Sequence, residues 1–204
     1  DNSSNVYVLG TQNSSSNNAD FVLQKYNANG LLLWTKTYNG VANLQDKGEK
    51  ISIDNATGNI YVTGIVNYNG SANQIDNVLV KYNSSGSRQW QRVFGYTGTN
   101  SAKEILFDAT GNCYVVGNAL DVNNSSGTQP SRIFVAKFSA GGTQQWLKVH
   151  NNGNYVHEWA KSAVSDNSGN IYVGAEIKDS ASFVSDMLAY KLSNAGTKRW
   201  EQRG

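Results

Sequence analysis

One stretch of fifteen residues occurs four times in this chain and limits what it can fold into more than any other feature. It reads DFVLQKYNANGLLLW from Asp20 to Trp34. It returns as DNVLVKYNSSGSRQW (Asp76 to Trp90), RIFVAKFSAGGTQQW (Arg132 to Trp146) and DMLAYKLSNAGTKRW (Asp186 to Trp200). The tryptophans, the lysines Lys25, Lys81, Lys137 and Lys191, and the glycines Gly30, Gly86, Gly142 and Gly196 all recur at about 55 residues. Such a period marks a repeat architecture, in which one unit cannot bury its apolar surface alone and stacks on the next.

A second unit lies between these copies. It begins at Asp1, Asp54, Asp108 and Asp166 and is marked by Tyr7, Tyr61, Tyr114 and Tyr172. Each copy is a polar turn followed by a short β-branched and aromatic run, which predicts a strand. The Asp side chain bonds backbone two residues on, and Gly58, Gly111 or Gly169 takes the left-handed position. A further apolar run precedes each turn, as in Ile51–Ile53 and Ile105–Phe107. Each full repeat therefore carries four strands, a to d, with tight a–b and c–d turns. No window has a helical period, and Pro130 is the single proline. The expected fold is all-β: a β-propeller of four-stranded antiparallel blades. About four blades fit the chain, the first without its innermost strand, in repeats of approximately 1–40, 41–96, 97–150 and 151–204.

The pattern Asp-x-x-Gly-Asn-x-Tyr-Val-x-Gly, followed by Asp-x-x-x-x-Lys-Tyr-Asn-x-x-Gly-x-x-x-Trp, resembles the SBBP β-propeller repeat of bacterial secreted and cell-surface proteins. The first half is also similar to NHL repeats, and the Gly-x-x-x-Trp half to the tryptophan-docking repeat of quinone-dependent propellers. The resemblance covers nearly the whole chain. It implies an extracellular or cell-surface setting and a ring of about seven blades. The expectation is that these blades are roughly half of a larger ring. A closed four-bladed ring and a dimer of half-rings are the alternatives.

Composition narrows the function classes. Charged residues are 16% of the chain and the net charge is +2, too little basic surface for phosphate-driven nucleic-acid binding. No apolar run is long enough to span a membrane as a helix. The single cysteine, Cys113, sits in an apolar run and reads as a buried small hydrophobe. There is no Gly-x-Ser-x-Gly elbow, no His-Glu-x-x-His and no phosphate-binding glycine loop.

Regular turns fall on one side of a blade and the variable connections on the other. The variable set is Gln12–Ala19, Ile65–Ile75, Asn118–Ser131 and Glu176–Ser185 for b–c, with Asn39–Gly48, Gly95–Ala102 and Asn151–Ala160 for d–a. Binding on a rigid scaffold concentrates on such loops. Tyr155, His157 and Trp159 form an aromatic group that can stack on a sugar or a side chain, and Tyr68 and Tyr96 lie on two other variable loops. His150 aligns with Tyr38 and Phe94 and reads as packing. Asp46, Asn100 and Glu158 recur before strand a. They are candidate oxygen ligands for a cation such as Ca²⁺, or caps for the backbone. The four lysines and four tryptophans read as structural repeat residues, each lysine stem lying on a neighbour and its ammonium reaching turn carbonyls or the strand-a Asp.

These readings lead to a non-catalytic interaction module that binds a protein or glycan, with no cofactor expected beyond a possible Ca²⁺. A structural subunit of a larger surface complex is the alternative. An enzyme with a quinone- or metal-dependent site in the channel ranks below both.

Overall fold

The computed structural model describes residues 1–15, 18–67, 75–120, 130–151, 155–179 and 184–204. Among them the chain is all-β. The strands β1 (Val6–Ser15), β2 (Asn18–Tyr26) and β3 (Leu32–Tyr38) form a three-stranded sheet. Three four-stranded sheets follow. The second comprises β4 (Asp46–Asp54), β5 (Asn59–Val66), β6 (Asp76–Tyr82) and β7 (Arg88–Phe94). The third comprises β8 (Asn100–Phe107), β9 (Cys113–Leu120), β10 (Ser131–Phe138) and β11 (Gln144–Val149). The fourth comprises β12 (Tyr155–Ser165), β13 (Ile171–Asp179), β14 (Ser185–Leu192) and β15 (Lys198–Arg203). Strands pair antiparallel in chain order, so every sheet is a meander, as in a propeller blade. No helix is present among the described residues, so none there is long and apolar enough to cross a membrane.

The repeated residues form one constellation in every sheet. The turn aspartate organises the a–b turn: Asp108 Oδ1 accepts from Thr110 N and Asn112 N, each at 3.0 Å. Its Oδ2 accepts from Tyr114 Oη at 2.8 Å, and Tyr7 and Tyr172 donate likewise to Asp1 (2.9 Å) and Asp166 (3.2 Å). Burial alone would raise the Asp108 carboxyl, but donors from Asn112, Thr110 and Tyr114 outweigh it and hold it at about 2. The strand-c lysine lies over the tyrosine ring, with Nζ 4.8–5.2 Å from the centroid in the four sheets. The strand-d tryptophan meets the same ring at an angle, for example Trp34 on Tyr7 at 5.9 Å and Trp90 on Tyr61 at 5.8 Å.

Lysine and tryptophan then reach the next sheet. Lys25 Nζ donates to the carbonyl of Ser84 at 3.2 Å. Lys137 Nζ donates to the carbonyl and side-chain oxygen of Asn194, and Trp146 Nε1 donates to the same carbonyl at 3.1 Å. Ser84 and Asn194 are the second residues of c–d turns that end in Gly86 (φ 79°) and Gly196 (φ 76°). A Cβ on Gly196 would lie 3.1 Å from the Trp146 ring, and one on Gly86 would lie 3.1 Å from that of Trp34. Glycine is thus required twice, for left-handed backbone and for close approach of the indole.

The chain parts into two compact units, Asp1–Gly95 and Tyr96–Gly204. The core of the first joins Phe21, Leu23 and Tyr38 with Ile60, Val62, Val78 and Val80. The core of the second joins Tyr114, Val116, Ile133 and Val135 with Ile171, Val173, Leu188 and Tyr190. All eight residues of β10 are buried, which explains the unbroken apolar run from Ile133 to Ala136. Each Val, Leu, Ile or Phe so buried contributes about 1.5–3 kcal/mol. Cys113 is buried in β9.

The variable connections differ from expectation. Most of Gln12–Ala19 belongs to β1 and β2, and most of Asn151–Ala160 belongs to β12. In the latter, Tyr155 to Ala160 runs on as extended strand. Register shifts between Tyr155 and His157 and between Ala160 and Ser162 let it continue against β13.

Candidate functional site

A cluster of ionisable side chains lies in the second unit, where β11 ends opposite β12, β14 and β15. His150 follows β11, and its N–H donates to the carbonyl of Ile133 at 2.7 Å. Its imidazole is held between two carboxylates. Nδ1 is 2.9 Å from Glu158 Oε2 and Nε2 is 3.1 Å from Glu201 Oε2. The ring stacks on Tyr190, with centroids 4.8 Å apart. Arg132 lies 3.8 Å from Glu158 Oε1, and Lys198 Nζ donates to Glu201 Oε2 at 2.6 Å. Glu158 is fully buried, and Glu201 is the more open of the two acids.

Burial opposes charge on His150, but the hydrogen bonds and fields of Glu158 and Glu201 outweigh it and raise its pKa above the ordinary 6.5. Burial is also the main force that pushes the Tyr190 hydroxyl far above its ordinary value, with Glu158 and Glu201 adding to it. Beside His150 lies a cavity of about 240 Å³, lined by Lys148, Val149, Asn151, Tyr190 and Lys198. An imidazole flanked by an inner and an outer carboxylate, next to a cavity lined by two lysines, can move a proton and hold a small anion.

Sequence reasoning gave His150 a packing role and passed over Glu201, Tyr190 and Lys198. The signal was present in departures from the repeat. His150 stands where earlier copies have Tyr38 and Phe94, and Arg132 stands where the other copies have Asp20, Asp76 and Asp186. Glu158 is the longest side chain of its set. These departures meet at one place.

Each expected cation ligand has partners of its own. Asp46 accepts from the backbone N–H of Gly40, and Asn100 Oδ1 accepts from Tyr96 N at 2.9 Å while its Nδ2 donates to the carbonyl of Gly98 at 3.1 Å. Glu158 turns to His150 instead. Each closes the connection that leads into its own sheet. Burial pushes the Asp46 carboxyl up to about 6, with the Gly40 bond opposing and Asp20 adding to the rise. No group of three or more His, Cys, Asp or Glu is placed to hold a metal ion among the described residues.

Of the expected aromatic group, His157 and Trp159 stack at 5.0 Å on β12, and His157 Nδ1 accepts from Ser131 N at 3.1 Å. Burial, then Lys178 and Arg132, lower the His157 pKa, the opposite direction to that of His150. Tyr155 pairs through its backbone with Asp179. Tyr96 starts the turn that Asn100 closes. Tyr68 lies outside the described residues.

No family model and no curated protein matches the chain. Solved structures do. A Pseudomonas brassicacearum lignostilbene dioxygenase matches at 12% identity and TM-score 0.52, over 93% of this chain and 46% of its own. A puromycin hydrolase variant matches at 11% identity and TM-score 0.53, over 94% and 30%. A variant of Synechocystis apocarotenoid oxygenase matches at 11% identity and TM-score 0.50, over 98% and 46%. The likeness is one of fold. The chain spans less than half the length of these structures.

This corrects three expectations. A non-catalytic interaction module was expected, and a protein that is not an enzyme; the fold these repeats build is one that oxygenases and a hydrolase use. The absence of catalytic motifs had pointed away from an enzyme, but residues that meet only through the fold form no motif. The expectation of no cofactor beyond a possible Ca²⁺ falls on the same ground, since two of these matches are oxygenases. Asp46 and Asn100 are moreover occupied as backbone caps.

Proposed function

We propose that this chain is the propeller-like part of an enzyme and that His150 is its proton-handling residue. The observation that carries the reading is the imidazole between Glu158 (2.9 Å) and Glu201 (3.1 Å), beside a cavity of about 240 Å³. Glu158, buried and next to Arg132, fixes Nδ1–H and keeps the ring charged. Glu201, the more open acid, holds Nε2, and His150, which itself lines the cavity, delivers that Nε2 proton to a substrate atom there. Lys148 and Lys198 suit a small substrate with a carboxylate or phosphate group. Hydrolysis of an ester or amide is the reaction class such an acid–base pair serves, and a hydrolase is among the structures that share the fold.

The four sheets fit four blades of a propeller whose ring needs more blades than these. The SBBP-like repeat belongs to the same proposal, supported by the Tyr–Lys–Trp constellation of every sheet, and an extracellular or cell-surface setting goes with it. Turnover of small chromogenic carboxylate and phosphate esters tests the reading. His150→Gln and Glu201→Gln are expected to lower kcat/KM by about 10²–10⁴-fold, and Lys148→Ala to raise KM. No turnover on any of these esters, or turnover indifferent to His150→Gln, overturns it.

A further inference from the structure

Within each unit, the leading sheet turns one face to the sheet that follows it. In the third sheet that face carries Ile133, Val135 and Lys137, all buried. The lysine and Trp146 hold the Asn194 carbonyl of the fourth sheet. Lys25 holds Ser84 in the same way in the first unit. The fourth sheet presents the same face with the same residues. Met187, Ala189 and Lys191 occupy the β14 positions, Lys191 lies 4.8 Å over the Tyr172 ring, and Trp200 pairs with Lys191 across the strands. Here Met187 is 72% exposed and Trp200 41% exposed. A hollow of about 810 Å³ opens on this face, lined by Ser162, Gly174, Met187, Ala189 and Gln202 among others.

The first sheet carries the complement. Val6 and Val8 flank Tyr7 as Ile60 and Val62 flank Tyr61, and as Ile171 and Val173 flank Tyr172. Those four are buried, whereas Val6 and Val8 are 54% and 45% exposed, and Leu32 on the same face is exposed. Its c–d turn, Asn27–Gly30, has the left-handed glycine of the others (φ 78°), yet no atom lies within 4 Å of where a Cβ would sit on Gly30. The indole that fills this place at Gly86 and Gly196 is missing from it.

We propose that the exposed face of the fourth sheet is a docking site for the first sheet of a second copy of this chain. Lys191 Nζ and Trp200 Nε1 take the carbonyl of Ala28, the second residue of the Asn27–Gly30 turn, and Val6, Val8 and Leu32 enter the hollow beside Met187. Both halves of the contact are built into one chain and are different surfaces, so association is head to tail. The occupant is specified by the two clamps already filled: a hairpin turn with a left-handed glycine and an apolar strand-b face.

Sedimentation equilibrium across the micromolar range tests this. The 204-residue chain is expected to associate. Trp200→Ala with Lys191→Ala, and separately Val8→Lys, are expected to weaken association at least about tenfold. Trp200 and Val8 are exposed and Lys191 is half-buried, and an unchanged thermal midpoint confirms that each variant folds. Mixing the two variants is expected to restore a one-to-one complex, because each retains the half the other lacks. A monomer throughout the range, association indifferent to these changes, or failure of the mixture to pair overturns the proposal. A monomer would leave the face to a blade from outside these residues.

Discussion

At the scale of single residues, the chain shows what happens when one position of a repeat changes its chemistry. Asp46 and Asn100 do the same work of closing a turn, but only Asp46 can ionise. Its carboxyl stands near 6 when folded, against 3.8 in an unfolded chain. The folded state therefore binds this proton more tightly, and stability is lost as pH rises from about 4 to about 6. Asp46→Asn is expected to remove that loss and to add on the order of 1–2 kcal/mol at neutral pH, since the amide oxygen still accepts from Gly40. Urea unfolding at pH 4 and pH 7 measures it, and a variant less stable at pH 7 than the parent contradicts it. The sequence showed these residues as a periodic set with two readings, ligand or cap. Only the hydrogen bonds to Gly40 and Tyr96 separate them, because spacing does not reveal where a carboxylate points.

At the scale of the element, the hairpin of β14 and β15 and its counterparts were legible from the sequence. Period, turn glycine and tryptophan predicted two strands and a tight turn, and all four hairpins are present. The boundaries of the variable connections were not. Tyr155 to Ala160 is strand because bulges absorb its extra residues, and bulges leave no reliable mark in sequence. The clamp between neighbouring sheets permits a direct comparison. Gly196→Ala puts a methyl group 3.1 Å from the Trp146 ring and strains a left-handed residue, whereas Gly30→Ala strains the backbone alone. Both are expected to lower stability by about 1 kcal/mol for the backbone, with Gly196→Ala costing about 1–2 kcal/mol more. Thermal unfolding of the two variants gives the difference. Equal losses would show that the indole does not hold the turn.

At the scale of the whole molecule, repeated sheets carry, among the described residues, a cluster made of departures from the repeat. The all-β architecture could be read from the repeat because every blade must satisfy the same packing. The site could not, because it is made of exceptions: His150, Glu158, Arg132 and Glu201 come from β11, β12, β10 and β15 or their ends and meet only after the sheets stack. Their charges are mutually dependent. A histidine with a raised pKa stabilises the fold fully below pH 6.5, and that contribution fades as pH rises through its folded value. With His157 the only other histidine, NMR titration of the imidazole signals in the parent and in His157→Gln assigns His150 directly. The expected result is a His150 pKa above 6.5 that falls toward the ordinary value in Glu158→Gln and Glu201→Gln, and that shifts when acetate or phosphate enters the neighbouring cavity. A His150 that titrates at or below 6.5, indifferent to both glutamates and to added anion, would contradict a proton-handling site there.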